Sequence, residues 1–253
     1  MGGMNRPTAG ARHEAALPKG EHPLQLYSLG TPNGIKVTIL LEELGVEYDA
    51  WRIDIFKLEQ FGSEFVAANP NSKIPALLDY DFDPPVRVFE SGHILKYVAE
   101  KHGFMPSELR EKTEVMNWVF WLQGGAPYVG GGFGHFYNYA PLKIEYAIDR
   151  FTLETKRQLD VLDKHLSGRE WMCSDFSIAD ICIWPWIMCL KVFYKADKFL
   201  QLDTYANLMQ WYEKVKARKS VQRGCRVNGF GDNAIKERHS KLDFGDEEEE
   251  QQA

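Results

Sequence analysis

Leu26-Tyr27-Ser28-Leu29-Gly30-Thr31-Pro32-Asn33-Gly34-Ile35-Lys36-Val37 is a short apolar run that stops at a glycine and passes through Thr, Pro and Asn into an amphipathic segment. The run reads as a strand and the amphipathic segment as a helix, with Thr31 and Asn33 as caps and Pro32 in the first turn. The spacing of Gly30, Gly34, Lys36 and Thr38 is superficially that of a phosphate loop. It fails as one, because the lysine must directly follow the second glycine and a Ser or Thr must follow the lysine. What remains is a helix N-terminus with free backbone N–H groups at the end of a strand. Such a terminus can be plain capping, or it can receive an anion or a thiolate.

Reading outward from this turn, Leu24 to Ser28 is the strand, and Ile35 to Leu44 is the helix, closed by Gly45. Tyr48 to Ile55 alternates as a second strand, and Phe61 to Ala68 reads as a short helix. Ile74 to Leu78 and Val86 to Phe89 form two short strands around the turn Asp79 to Pro85. Ser91 to Lys101 is a helix closed by His102-Gly103. The order is β-α-β, a helix, then β-β-α: a parallel pair followed by a hairpin.

The second half carries almost no strand signal. Glu111 to Gln123, Pro141 to Leu166, Ile178 to Tyr194 and Tyr205 to Ala217 show helical periodicity, with aromatics dense among them. The organisation expected is an arm over 1–22, an α/β domain over 23–103, an all-helical domain over 108–233 and a polar tail over 234–253. The tail ends in the acidic run Asp246 to Glu250 and is expected to be solvated, and the arm is expected to be mobile unless something pins it.

The chain has 253 residues, 44% of them hydrophobic, enough for one or two packed domains. A net charge of -6 argues against a broad nucleic-acid footprint. No apolar run reaches the ~20 residues that span a bilayer, and residues 1–17 lack a signal-peptide core. Cys173, Cys182, Cys189 and Cys225 have neither Cys-x-x-Cys nor zinc-finger spacing, so they read as free thiols in a reducing compartment, the cytosol by default. No metal-binding motif is present.

Four further stretches bear on chemistry. In Asn69-Pro70-Asn71-Ser72-Lys73-Ile74-Pro75, trans is the default for Ile74–Pro75, since only about 5–6% of X–Pro bonds are cis. A cis bond would expose the Ile74 backbone as an edge with which an extended peptide could pair. Glu90-Ser91 stands where a strand meets a helix. Ser91 can cap that helix or receive a carboxylate, and Glu90 can receive an ammonium group. Ser177-Ile178-Ala179-Asp180 is a capping box, with Asp180 a buried cap rather than a catalyst. Gly130-Gly131-Gly132 suggests a wide loop or a broken helix where something approaches the backbone, and His135 beside it has no partner at metal spacing.

This combination resembles the cytosolic glutathione transferases: a thioredoxin-like βαβαββα N-terminal domain followed by an all-helical C-terminal domain. The motifs Leu26 to Gly34, Asn69 to Pro75, Phe89-Glu90-Ser91-Gly92, Asn117-Trp118-Val119-Phe120-Trp121-Leu122-Gln123 and Gly130 to Ala140 are similar to the nu class, whose members reduce disulfide bonds. The resemblance covers residues from about 5 to 230. It implies two glutathione molecules, or one glutathione disulfide, per active site. It places Thr31, Pro32 and Asn33 beside the sulfurs, with Ile74 pairing its backbone with the cysteinyl part. Glu90 and Ser91 hold the γ-glutamyl end, and Gln60 contacts the glycyl end. Gln123 and Arg150 reach from the helical domain to the second glutathione, and Asn5 lies in an arm that folds over a partner subunit's site. It also implies a homodimer acting on small-molecule disulfides or electrophiles, without nucleic-acid or membrane partners.

Thioredoxins and glutaredoxins carry a cysteine where this chain has Thr-Pro-Asn, and there is no cysteine in its first half. The thiol must then be glutathione's own. Two other readings stand beside disulfide reduction: a glutathione peroxidase or conjugating transferase, and a non-catalytic glutathione-binding module.

Overall fold

A computed structural model describes residues 6–245 of the chain. Asn5 and the acidic run from Asp246 lie outside the described residues. The described residues fall into two compact units, one running to His102 and resuming at Lys219, the other spanning Gly103–Arg218.

The first unit is built on a four-stranded mixed sheet. Its strands are β1 (Leu24–Ser28), β2 (Asp49–Arg52), β3 (Ala76–Asp79) and β4 (Val86–Phe89), in the order β2-β1-β3-β4. β1 runs parallel to β2 and antiparallel to β3, and β3 is antiparallel to β4. Between β1 and β2 comes α1 (Pro32–Leu44), between β2 and β3 comes α2 (Ser63–Ala68), and after β4 comes α3 (Ser91–Lys101). All five residues of β1 are buried. Its one amide, Gln25, is satisfied: Nε2 donates to Asp49 Oδ2 at 2.6 Å, and Oε1 accepts from Trp51 Nε1 at 2.8 Å.

α1 is buried from Gly34 to Glu42 without a break, so it has no solvent face. A helix enclosed on all sides must partner every polar side chain it carries. Thr38 donates to Gly224 O at 2.7 Å, and Glu42 accepts from Tyr48 at 2.8 Å. The helix ends at Gly45, whose φ of 63° is the left-handed conformation that glycine adopts without a Cβ clash.

The second unit contains α4 (Leu109–Pro127), α5 (Glu145–His165), α6 (Ile178–Met188), α7 (Asp197–Leu200) and α8 (Ala206–Lys216). The capping box at Ser177 and Asp180 is present, and Asp180 is fully buried, accepting from Met172 N, Ser177 N and Trp211 Nε1. The three glycines expected to give a wide loop or a broken helix lie in a π-helical continuation of α4 over Tyr128–Tyr139. Rings are what approaches the backbone there. A Cβ on Gly130 would stand 2.6 Å from Trp186, and one on Gly132 2.3 Å from Phe151. α6 likewise passes into a π-helical segment over Cys189–Phe193.

Several boundaries differ from those expected. α1 starts at Pro32 rather than Ile35, because Thr31 takes the capping position. β2 stops at Arg52 rather than Ile55. Asp54 caps a 3₁₀ turn over Ile55–Lys57, its Oδ1 accepting from Phe56 N at 3.0 Å. α5 begins at Glu145, not Pro141.

The ends of the chain differ more. The helical domain, expected to run to 233, stops at Arg218: α9 (Lys219–Gly224) packs on α1 and belongs to the first unit. Over their described residues the arm is pinned, and the tail, expected to be solvated, is anchored. Arg12 N donates to Phe61 O, Leu17 N to Glu64 and Tyr27 OH to Pro18 O. In the tail Arg238 is 1% exposed. Its ion pair with the buried Glu42 at 2.9 Å explains why a segment of polar composition folds back.

Candidate functional site

The sheet register gathers the expected residues of the first unit at one end. Tyr27 pairs with Ala76, and Ala76 with Phe89. The exit of β1, the entry to β3 and the exit of β4 are therefore side by side. Thr31 and Asn33 follow the first, Ile74 precedes the second, and Glu90 and Ser91 follow the third. Both helices that start here, α1 and α3, bring their N-termini to this end, where backbone N–H groups and the helix dipole favour negative charge.

Thr31 caps α1, its hydroxyl accepting from Gly34 N at 3.3 Å. Thr31, Pro32 and Asn33 are half-buried. Asn33 Oδ1 lies 3.4 Å from the Ser91 hydroxyl, which joins the starts of the two helices. Ser91 is buried, whereas Glu90 is exposed and holds a φ of 69°. A non-glycine residue in that region is strained, and such strain collects at functional sites. Ile74 is half-buried, and the Ile74–Pro75 bond is cis, not the trans default. Gln60 is buried within the 3₁₀ turn Glu59–Phe61 that follows β2. Its Nε2 donates to Ile55 O at 3.5 Å, and its Oε1 has no hydrogen-bond partner among the described residues.

Two features escaped sequence reasoning. Lys36, whose only sequence signal was a misfit to a phosphate loop, is fully buried; its Nζ donates to Asn33 Oδ1 at 2.9 Å and to Ser91 Oγ at 3.2 Å. The i, i+3 spacing from Asn33 on a fully enclosed helix is the signal that could have found it. The second is Asn228, whose carbonyl accepts from Gly30 N at 2.7 Å and so braces the loop before Thr31 from the far end of the chain. Nothing in the sequence marks that contact.

In the second unit, Arg150 is exposed and lines a hollow of about 300 Å³ with Trp121, Tyr128, Glu154, Arg157 and Gln158. The hydrogen bond from Arg157 holds the Glu154 carboxyl below its usual range, against a smaller opposing effect of burial, and the charge of Arg150 adds to the lowering. Gln123 is half-buried on α4 and does not line that hollow.

None of the four cysteines is in a disulfide. Burial pushes the Cys173, Cys189 and Cys225 thiols up to about 12, so none of these three is a thiolate at neutral pH. Among the described residues no group of His, Cys, Asp and Glu could hold a metal ion, and no helix is long and apolar enough to cross a membrane.

Comparison with known proteins gives the chain's family. Residues 22–100 match the model of the glutathione S-transferase N-terminal domain, and residues 145–214 that of the C-terminal domain. The chain is 56% identical to the disulfide-bond oxidoreductase YghU of Escherichia coli, over 95% of this chain and 88% of that protein. A crystal structure of glutathione transferase YghU from Streptococcus pneumoniae, complexed with glutathione, superimposes with a TM-score of 0.87 at 55% identity, covering 90% of this chain and 92% of that one. A glutathione transferase from Pseudomonas putida, with one glutathione disulfide bound per subunit, gives 0.79 at 38% identity, covering 82% and 93%. With both domain models matched and more than half of its residues shared with such a relative, the chain belongs to the glutathione S-transferase family.

Proposed function

We propose that this protein is a glutathione-dependent disulfide-bond reductase in which the reacting sulfur belongs to bound glutathione. The observation that carries this reading is the joining of two helix N-termini through Asn33 and Ser91, in a chain whose first cysteine is Cys173. Relatives that are named disulfide-bond oxidoreductases or hold glutathione disulfide support it.

Bound glutathione supplies the thiol that exchanges with a disulfide. The work left to the protein is to bind, aim and ionise that thiol. A free thiol titrates near ~8.5, and hydrogen-bond donors at a helix N-terminus lower that value. The Thr31 hydroxyl and the Asn33 amide are the donors assigned to the sulfur. The Ile74 backbone is assigned to the cysteinyl portion, and Ser91 with Glu90 to the carboxylate and ammonium of the γ-glutamyl end. Gln60 is assigned to the glycyl end, and Gln123 and Arg150 to a second glutathione. The expected assembly is a homodimer and the expected location the cytosol.

The test is turnover of 2-hydroxyethyl disulfide with glutathione. Thr31→Ala combined with Asn33→Ala lowers kcat/KM by about tenfold or more, since a hydrogen bond to a charged group is worth about 1.5–3 kcal/mol. An unaltered rate removes both residues from the mechanism. Rates with peroxide and with chlorodinitrobenzene, measured alongside, should fall below the disulfide rate.

A further inference from the structure

Lys36 stands where an ammonium group is hard to place. It has no exposed surface, and full desolvation of a charge costs several kcal/mol. It also sits in the second turn of α1, near the positive end of the helix dipole. A methionine has similar length and would fill the same volume without either cost.

The contacts made by Lys36 say which groups it serves. An ammonium only donates, so the carboxamide oxygen of Asn33, and not its nitrogen, must face Lys36. With Oδ1 held, the NH₂ end of Asn33 is left to donate elsewhere. Ser91, 3.2 Å from the same ammonium, is fixed by the same group. One buried cation thus sets the orientation of residues on two different helices. Arg223 and Arg238 pair with Glu42 at the far end of α1, and Glu90 and His93 on either side of Ser91 are exposed.

We infer that Lys36 is the positioning residue of the glutathione site, orienting the Asn33 amide toward the bound sulfur and supplying the buried positive charge that keeps this sulfur ionised. This rests on the reading of Thr31, Asn33 and Ser91 as the site that receives glutathione.

The experiment titrates the thiol of glutathione bound to the purified full-length protein, following thiolate absorbance near ~240 nm against pH, beside the pH profile of kcat/KM. In Lys36→Met the ionisation moves upward by about one pH unit or more, and kcat/KM at neutral pH falls by about tenfold. Thermal stability stays level or rises, because an apolar side chain replaces a buried charge. A purely structural lysine would give the opposite pattern: a lower melting temperature and an unmoved titration. Should Lys36→Met not fold, Lys36→Gln keeps a donor toward Asn33 without the charge, and the titration still moves upward.

In an Asn33→Ala background, Lys36→Met shifts the titration by less than it does alone. An unmoved titration in Lys36→Met overturns the inference, as does a weakened glutathione affinity with no change in ionisation, which would confine Lys36 to the γ-glutamyl carboxylate. If Thr31→Ala with Asn33→Ala also leaves the titration in place, the site reading itself falls. If that pair moves it and Lys36→Met does not, only the role of Lys36 falls.

Discussion

Glu42→Gln should destabilise the protein by up to about 3–5 kcal/mol, the cost of breaking a buried ion pair by removing one partner. Glu42 is 6% exposed, and its carboxylate serves three partners. Oε1 accepts from Tyr48 at 2.8 Å and lies 2.9 Å from Arg238 Nε, while Oε2 lies 3.1 Å from Arg223 Nε. The amide can replace neither negative oxygen. Arg238 would keep the more distant Glu47 carboxylate, 3.7 Å from Nη1, and the Tyr48 carbonyl at 3.0 Å, with its guanidinium enclosed over the Tyr48 ring, 4.1 Å from the centroid. The loss is read in a denaturant titration of the purified protein. It should also lower disulfide turnover. Arg238 is paired with Ala50 by two backbone hydrogen bonds, in the same segment that delivers the Asn228 carbonyl to Gly30. An unfolding free energy within about 1 kcal/mol of the starting protein, about the effect of losing one ordinary hydrogen bond, would mean that the carboxylate is dispensable.

Gly34→Ala should abolish most activity through geometry alone. A Cβ at that position would lie 1.9 Å from the Leu29 carbonyl oxygen and 2.6 Å from Ser28 Oγ. Neither neighbour can retreat easily, because Ser28 belongs to a wholly buried strand and Gly30 is tied to Asn228. The segment from Leu29 to Gly34 must therefore shift by about 1 Å, a misplacement that can cost about a hundredfold in rate. Overpacking adds a stability loss of about 1–3 kcal/mol. Glutathione affinity and kcat/KM are the readouts, and full activity in a folded variant would place the sulfur site away from this turn.

The parts of this molecule that were legible in the sequence are those written in local chemistry. Thr31-Pro32 announces a helix start, Gly45 a helix end, and Ser177 to Asp180 a capping box, because each device works within four residues. The alternation of strands and helices is equally local, as is the proximity of Thr31, Asn33, Ile74 and Ser91 once strand order is granted. What could not be read depends on partners far along the chain. By composition the 1–22 arm looks mobile and the tail solvated, yet Glu64 and Glu42 bind them. Gly130 to Gly134 read as a helix breaker by intrinsic propensity. Trp186, Phe151 and Tyr194 make the same glycines the residues that fit a π-helical turn under aromatic rings. Lys36 reads as an ordinary polar position until α1 is seen to be enclosed on every side.

The split of the first unit has a consequence for biosynthesis. Its early portion ends at His102, and its remainder resumes only at Lys219. Gly30 and the carbonyl that braces it at Asn228 are 198 positions apart (228 − 30 = 198). At about 5–20 residues per second, the ribosome needs about 10–40 s to cover that distance. A nascent chain therefore carries the Thr31 turn unbraced for that whole interval, with one face of α1 uncovered. Release from the ribosome short of α9 leaves a product with every assigned ligand residue present and the scaffold under them unfinished.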